Sequence, residues 1–227
     1  MKKLLGYGSL LFLTVLLLAS CRKEYKTDGG RSKAEVNMTT FDFLKSKPQF
    51  SSLVRLIERA GLKDAVNGSS TFFATTNYGV DDYLKAMKNK RAIELNDENI
   101  TYTLDSIPLW RLDSLKTYIF DGKINRDELT VKGKYYPSQF GPINNVQFRI
   151  NLNRQFSYGD YVDYVDYVLY SKVYGTLDED EPDPKKIPEG LVDKSVYCQT
   201  SGIVTTNGVV HVLDGFHRLF FNNDPIN

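Results

Sequence analysis

"NGVVHVLDGFHRLF", residues 207–220, holds both histidines of this 227-residue chain, His211 and His217, with Asp214 midway between them. Two imidazoles and a carboxylate within seven residues have the composition of a metal site or a catalytic pair, so geometry has to decide between chemistry and structure. The alternation is that of a strand, with Val209, His211 and Leu213 on one face and Val210 and Val212 on the other. On an extended strand the α-carbons of His211 and His217 lie about 20 Å apart, too far for two ligands that each sit about 2.0–2.1 Å from one ion. Asp214-Gly215 can bend the chain, but no further nitrogen or thiolate lies close in sequence, and no metal or cofactor is implied. A serine nucleophile would need a G-x-S-x-G turn between strand and helix, and the chain has none. The stretch reads as a buried strand ending in a turn, with His217 as a partly exposed strand-end residue.

Upstream, "NNVQFRINL", "YVDYVLYSKVYG" and "KSVYCQTSGIV" are equally rich in Val, Ile, Tyr and Phe and are separated by Gly, Pro and Asn clusters, so the second half is β-rich. The first half is helical. Leu53, Leu56, Ile57 and Ala60 repeat at helical spacing, with Ser51 or Ser52 as N-cap and Gly61 as terminator, and a helical turn follows before Asn67-Gly68. Thr71-Phe72-Phe73-Ala74 is a short strand, and Thr76 or Asn77 caps a helix with Val80, Tyr83, Leu84 and Met87 on one face. A further helix starts at Pro108, carries Leu112, Leu115 and Ile119, and ends at Asp121-Gly122. Helices followed by strands give an α+β domain.

The N-terminus has the layout of a secretory signal: Lys2 and Lys3, then about 16 apolar residues, short of the roughly 20 that span a bilayer. It ends in Leu18-Ala19-Ser20-Cys21, which resembles a bacterial lipobox, so residues 1–20 are a lipoprotein signal peptide and Cys21 is the lipidation site. Residues 21–37 form a polar, flexible tether. Cleavage changes 29 basic against 28 acidic residues to 27 against 28, a balance that argues against nucleic-acid binding. With Cys21 acylated, Cys198 has no disulfide partner and reads as a small buried hydrophobe.

Two segments carry a family resemblance. "STFFATTNYGVDDYL" (70–84) resembles the first conserved box of fasciclin-like domains, T-x-F-A-P-T-N-x-A-F, and residues 207–220 resemble the second, N-G-V-x-H-x-I-D-x-V-L. "LDSLKTYIFDGKINRDELTVKG" follows the family's middle segment. The resemblance covers about residues 38–220 and implies a fasciclin-like fold, with helices packed on a β-wedge or sandwich of short strands over 38–222, followed by a tail at 223–227. It implies structural roles for Thr71, Phe73, Ala74, Thr76, Asn77, Asn207, Gly208, His211 and Asp214. Thr75 replaces the first box's proline, and Gly79 and Val80 its small-plus-aromatic pair. Tyr118 stands where most members carry the histidine of a Tyr-His pair linked to integrin binding in animals.

The boxes are further apart than usual, which places an insertion at about 135–189. Its tyrosines 158, 161, 164, 167, 170 and 174 recur every three or four residues. On a strand, Tyr161 and Tyr167 point one way and Tyr164 and Tyr170 the other. Tyr118, Tyr158, Tyr161, Tyr164, Tyr167 and Tyr170 form the candidate binding surface. "TLDEDEPDPKKIPEG" (176–190) reads as a solvated acidic loop without the ordered spacing of a calcium loop. The resemblance implies a non-enzymatic, envelope-anchored binding or cell-adhesion module of a Bacteroidota-type lipoprotein, in the outer membrane and facing periplasm or exterior. Its partner would be an envelope or extracellular protein or a polysaccharide. The alternative is a surface glycan-processing enzyme using carboxylates of the insertion, which requires a cleft lined by the tyrosines.

Overall fold

Strands β1 (Ser70–Ala74) and β7 (Val209–Leu213) lie side by side and parallel, with Thr71 opposite Val209, Phe72 opposite Val210, Phe73 opposite His211 and Ala74 opposite Val212. Every residue of both strands is buried, as expected of parallel strands covered on both faces. The computed structural model describes residues 34–157 and 162–223. The signal peptide, Cys21, Tyr158, Tyr161 and the last four residues lie outside the described residues. Residues 32–155 with 166–227 form one unit; in the other, residues 1–31 with 156–165, the rings of Phe156 and Tyr164 meet edge to face at 6.5 Å.

The fold is α+β. A seven-stranded sheet has the order β2-β1-β7-β6-β5-β4-β3, with β2 at Ile119–Asp121, β3 at Lys134–Tyr136, β4 at Val146–Gln155, β5 at Val165–Tyr174 and β6 at Lys194–Val204. The expected α+β arrangement of helices and strands is observed, with the strands joined in one sheet. β6 pairs with β5 through Lys194–Tyr197 and with β7 through Cys198–Val204, so one long, irregular strand joins both halves into one sheet.

Among the described residues the α-helices are α1 (Thr40–Lys45), α2 (Ser51–Ala60), α3 (Lys63–Val66), α4 (Asn77–Leu95), α5 (Leu109–Leu112) and α6 (Leu219–Asn223). Gly61 closes α2 with φ 66°, a left-handed conformation that suits glycine. The expected cap of α2 changes. Neither Ser51 nor Ser52 caps α2; the Asn77 side chain accepts from the Ser52 N–H at 3.0 Å and donates to the Pro48 carbonyl at 3.0 Å. α1 is capped from a distance as well, since the Thr40 N–H donates to Asn207 Oδ1 and the Phe41 N–H to Asn67 Oδ1, both at 2.9 Å. The helix expected from Pro108 to Asp121 also stops early. After α5 the chain tightens into a 3₁₀ turn (Asp113–Tyr118), and Ile119 pairs with Phe72, so edge pairing overrides the helical spacing of Leu112, Leu115 and Ile119. Nor is the tether free to residue 37: the Val204 N–H donates to Ala34 O and the Val36 N–H to Val204 O, each at 2.9 Å.

β1 and β7 approach closely because Gly208 has no side chain. A Cβ there would sit 2.4 Å from the Ser70 carbonyl oxygen, a contact that backbone must move to relieve. Gly208→Ala is therefore expected to destabilise the domain by about 1–3 kcal/mol in urea melts. Gly190→Ala, where an added Cβ meets nothing within 4 Å, should stay within about 0.5 kcal/mol of the parent.

Candidate functional site

The residues of the two boxes are used by the fold. His211 is fully buried; its Nδ1 accepts from the Gly202 N–H at 3.2 Å and its Nε2 donates to the Ile124 carbonyl at 3.0 Å. Those two bonds select the neutral Nε2–H tautomer. The ring stacks on Phe73 at 5.0 Å, and burial lowers its pKa from the ordinary 6.5 to about 4. Thr71 Oγ1 donates to the Gly122 carbonyl at 2.8 Å and accepts from the Ile124 N–H at 2.7 Å, which holds the residue whose carbonyl accepts from His211. Asn207 accepts from Thr40 and donates to the Asn67 carbonyl. Asp214 Oδ1 accepts from the Phe216 N–H at 2.8 Å and its carbonyl from the His217 N–H at 3.0 Å, so it turns the chain after β7. Thr76 stands at the N-cap of α4 but makes no side-chain cap, and its Oγ1 and that of Thr75 are buried without a hydrogen-bond partner.

Three of the sequence-based expectations are corrected by burial. His217 is not a strand-end surface residue; it is 7% exposed, and burial lowers its pKa to about 3. Tyr118 and Tyr170 are not part of a surface, being 1% and 0% exposed. Their hydroxyls explain why a core accepts them. Tyr118 Oη lies 2.9 Å from His217 Nε2 and accepts from the Phe220 N–H at 2.8 Å, while Tyr170 donates to the Thr117 carbonyl at 2.7 Å. Tyr170 also stacks on Phe73 at 4.6 Å and on Phe148 at 5.7 Å. Tyr118 thus meets a histidine after all, one supplied from the far end of the second box.

Of the remaining candidate tyrosines, Tyr164 and Tyr167 are half-buried, and Tyr158 and Tyr161 fall outside the described residues. Tyr167 packs edge to face on Tyr197 of β6 at 5.8 Å. Sequence reasoning passed over Tyr197 and Phe216, which are 41% and 97% exposed. The available signal was Phe216 itself, a large apolar residue straight after an Asp-Gly turn with no strand left to bury it.

The acidic loop is more ordered than a solvated segment. Asp178 and Asp193 each accept the other's backbone N–H at 3.0 Å, and Asp193 also accepts from the Tyr174 N–H at 3.0 Å. Asp178, Glu181 and Asp183 border a shallow groove of about 400 Å³, in which Tyr174 is the one tyrosine among the described residues. Among the described residues no cluster of three His, Cys, Asp or Glu side chains suits a metal ion. Cys198 is buried, and desolvation pushes its thiol pKa up.

A comparison with solved structures finds the FAS1 domain pair of the insect cell adhesion molecule fasciclin I, at a TM-score of 0.46 and 15% identity over 82% of this chain and 52% of that one. The chain therefore spans about half the length of that structure. No family model and no curated protein matches the sequence.

The two buried imidazoles make stability depend on pH. Both are neutral when folded and protonate near pH 6.5 when unfolded, so the stability present above that pH is lost as pH falls from 6.5 toward 4 for His211 and toward 3 for His217. Each contributes up to about 1.4 kcal/mol per pH unit in this window. Urea melts at pH 7 and pH 5 are expected to show the loss, and His217→Gln, though less stable throughout, should lose stability less steeply with falling pH.

Proposed function

We propose that the chain is a fasciclin-like, lipid-anchored module of the bacterial cell envelope that binds a protein or polysaccharide and carries out no reaction. The observation that carries this reading is the use made of the two boxes: adjacent parallel strands whose Thr71 and His211, with Asn207 and Asp214 flanking the second strand, all hydrogen-bond within the domain. Both histidines, the side chains best suited to proton transfer near neutral pH, are buried and neutral. The lipobox-like Leu18-Ala19-Ser20-Cys21, with a polar spacer after it, supports anchoring through Cys21 and display at the outer membrane. Acylation and binding are the two parts of the proposal, and each has its own test.

Expressed as the full chain in a bacterial host, the protein is expected in the membrane fraction, and Cys21→Ala should move it to the soluble fraction. A Cys21→Ala chain that stays with the membrane contradicts the anchor. Binding is measured by retention on immobilised polysaccharides and envelope proteins. Retention should survive His211→Gln in a chain that still melts cooperatively. Release of reducing sugar by the wild-type chain, abolished by Asp178→Asn, would replace this reading with that of an enzyme.

A further inference from the structure

Phe220 and Phe221 have φ of 61° and 50°. Among the described residues, every other residue with positive φ is Gly or Asn, the types that adopt the left-handed region most readily. A bulky side chain there crowds its own backbone, and two in succession wind the turn of α6 against its preferred hand. Such strain persists only where the surroundings hold it. Here the holding groups can be named. The Phe220 N–H donates to Tyr118 Oη at 2.8 Å, and the Phe220 ring meets Tyr83 edge to face at 5.2 Å and lies 4.6 Å from the Arg111 guanidinium. The Phe221 ring is parallel to that of Tyr118 at 6.0 Å and meets Tyr170 at 5.3 Å and His217 at 4.8 Å edge to face. Both phenylalanines are buried.

The residues before the strained pair are anchored separately. The His217 N–H donates to the Asp214 carbonyl at 3.0 Å, Arg218 pairs with Asp82 at 2.6 Å, and Leu219 is fully buried. A return of φ to negative values at Phe220 and Phe221 therefore moves their two rings while the chain before them stays in place. The Tyr118 hydroxyl keeps a partner when the Phe220 N–H leaves, because His217 Nε2 lies 2.9 Å away. There is also open space beside the pair. Phe221 and His217 both line a groove of about 340 Å³ between the start of β6 and the turn after β7. Withdrawal of the Phe221 ring extends this groove inward to Tyr118 and Tyr170, the two buried rings that Phe221 covers.

We propose that Phe220 and Phe221 form a strained strap over a cryptic pocket, and that the pocket admits a planar aromatic group in place of their rings. The lining selects that class. Tyr118, Tyr170 and His217 together receive one ring, in one parallel and two edge-to-face contacts, and Tyr83 receives the other edge to face. The left-handed backbone favours opening, since each of the two residues raises the open population about fivefold or more over that of an unstrained strap. An aromatic ligand that binds the open state alone then shifts the equilibrium toward it. The proposal goes beyond the binding-module reading and does not rest on it, so its failure leaves that reading standing.

The test uses the full chain in neutral detergent. In native-state hydrogen exchange the Phe220 amide is expected to exchange at least about a hundredfold faster than the amides of β7, at a rate that low urea leaves unchanged. Phe221→Ala and Phe221→Gly both remove the ring, but glycine relieves the left-handed strain, so the Phe220 amide should exchange about threefold faster in the alanine variant than in the glycine variant. Indole is the ligand probe, followed by saturation-transfer NMR against a micelle blank. Wild type should bind it, and Phe221→Ala, in which that ring no longer has to be displaced, should bind it at least about tenfold more tightly. Trp110→Ala, which removes an exposed aromatic outside the groove, should change its affinity by less than about twofold. Exchange of the Phe220 amide only through global unfolding overturns the proposal. So does exchange no faster in the alanine variant than in the glycine variant, or indole bound no more tightly by Phe221→Ala than by the wild type.

Discussion

Parallel strands cannot be joined by a tight turn, and the register of Thr71–Ala74 against Val209–Val212 imposes that constraint on the whole domain. The chain between Thr75 and Gly208 has to form a crossover that brings β7 back beside β1 in the same direction. The chain does so by building α4 and α5, then the edge strand β2, and then β3 to β6, so that β7 arrives between β1 and β6. Burial of both central strands on both faces makes their side chains the axis of the core, with Phe73 between His211 and Tyr170. The histidine in the middle of this axis is tolerated because each of its nitrogens has a backbone partner.

The polar residues of the boxes fasten helices to that axis. Asn77 stands in the first turn of α4 yet caps α2, and Asn207 precedes β7 yet caps α1. Each satisfies an orphan N–H at a helix start, in α1 beside the Thr39 side chain that accepts from the Asp42 N–H, so sheet and helices are joined by hydrogen bonds as well as by apolar contact. The same economy applies at the end of the second box, where Tyr118 ties His217 and Phe220 to the turn that leads into β2. Residues that look reactive in the sequence are therefore structural, and the solvent-facing aromatic groups lie beside them.

The parts of the fold legible in the sequence were those whose signals are local. Val209 to Leu213 alternate with no charge, Gly61 marks a helix end, and the β-rich runs after residue 140 correspond to β4, β5 and β6. The parts that escaped depend on distant partners. α1 is only six residues long, and although Thr39 caps it locally, two of its first amides are satisfied from residues 67 and 207. Ile119 keeps helical spacing yet joins a strand because Phe72 offers an edge. Tyrosine is ambiguous in sequence, since its ring belongs in a core and its hydroxyl in water; Tyr118 and Tyr170 became core residues once His217, Phe220 and Thr117 supplied partners. For the site, the tyrosine series drew notice away from Phe216, whose exposure depends on a turn fixed by Asp214.

The central claim is that the histidine of the second box is a neutral, hydrogen-bonded core residue and not a reactive one. It is tested most directly by nitrogen-15 NMR of the His211 imidazole across pH 7.5 to 5. The account predicts one protonated nitrogen, Nε2, with shifts that stay constant through this range, in keeping with a pKa near 4. An imidazole that titrates near pH 6.5, or that carries its proton on Nδ1, would contradict it.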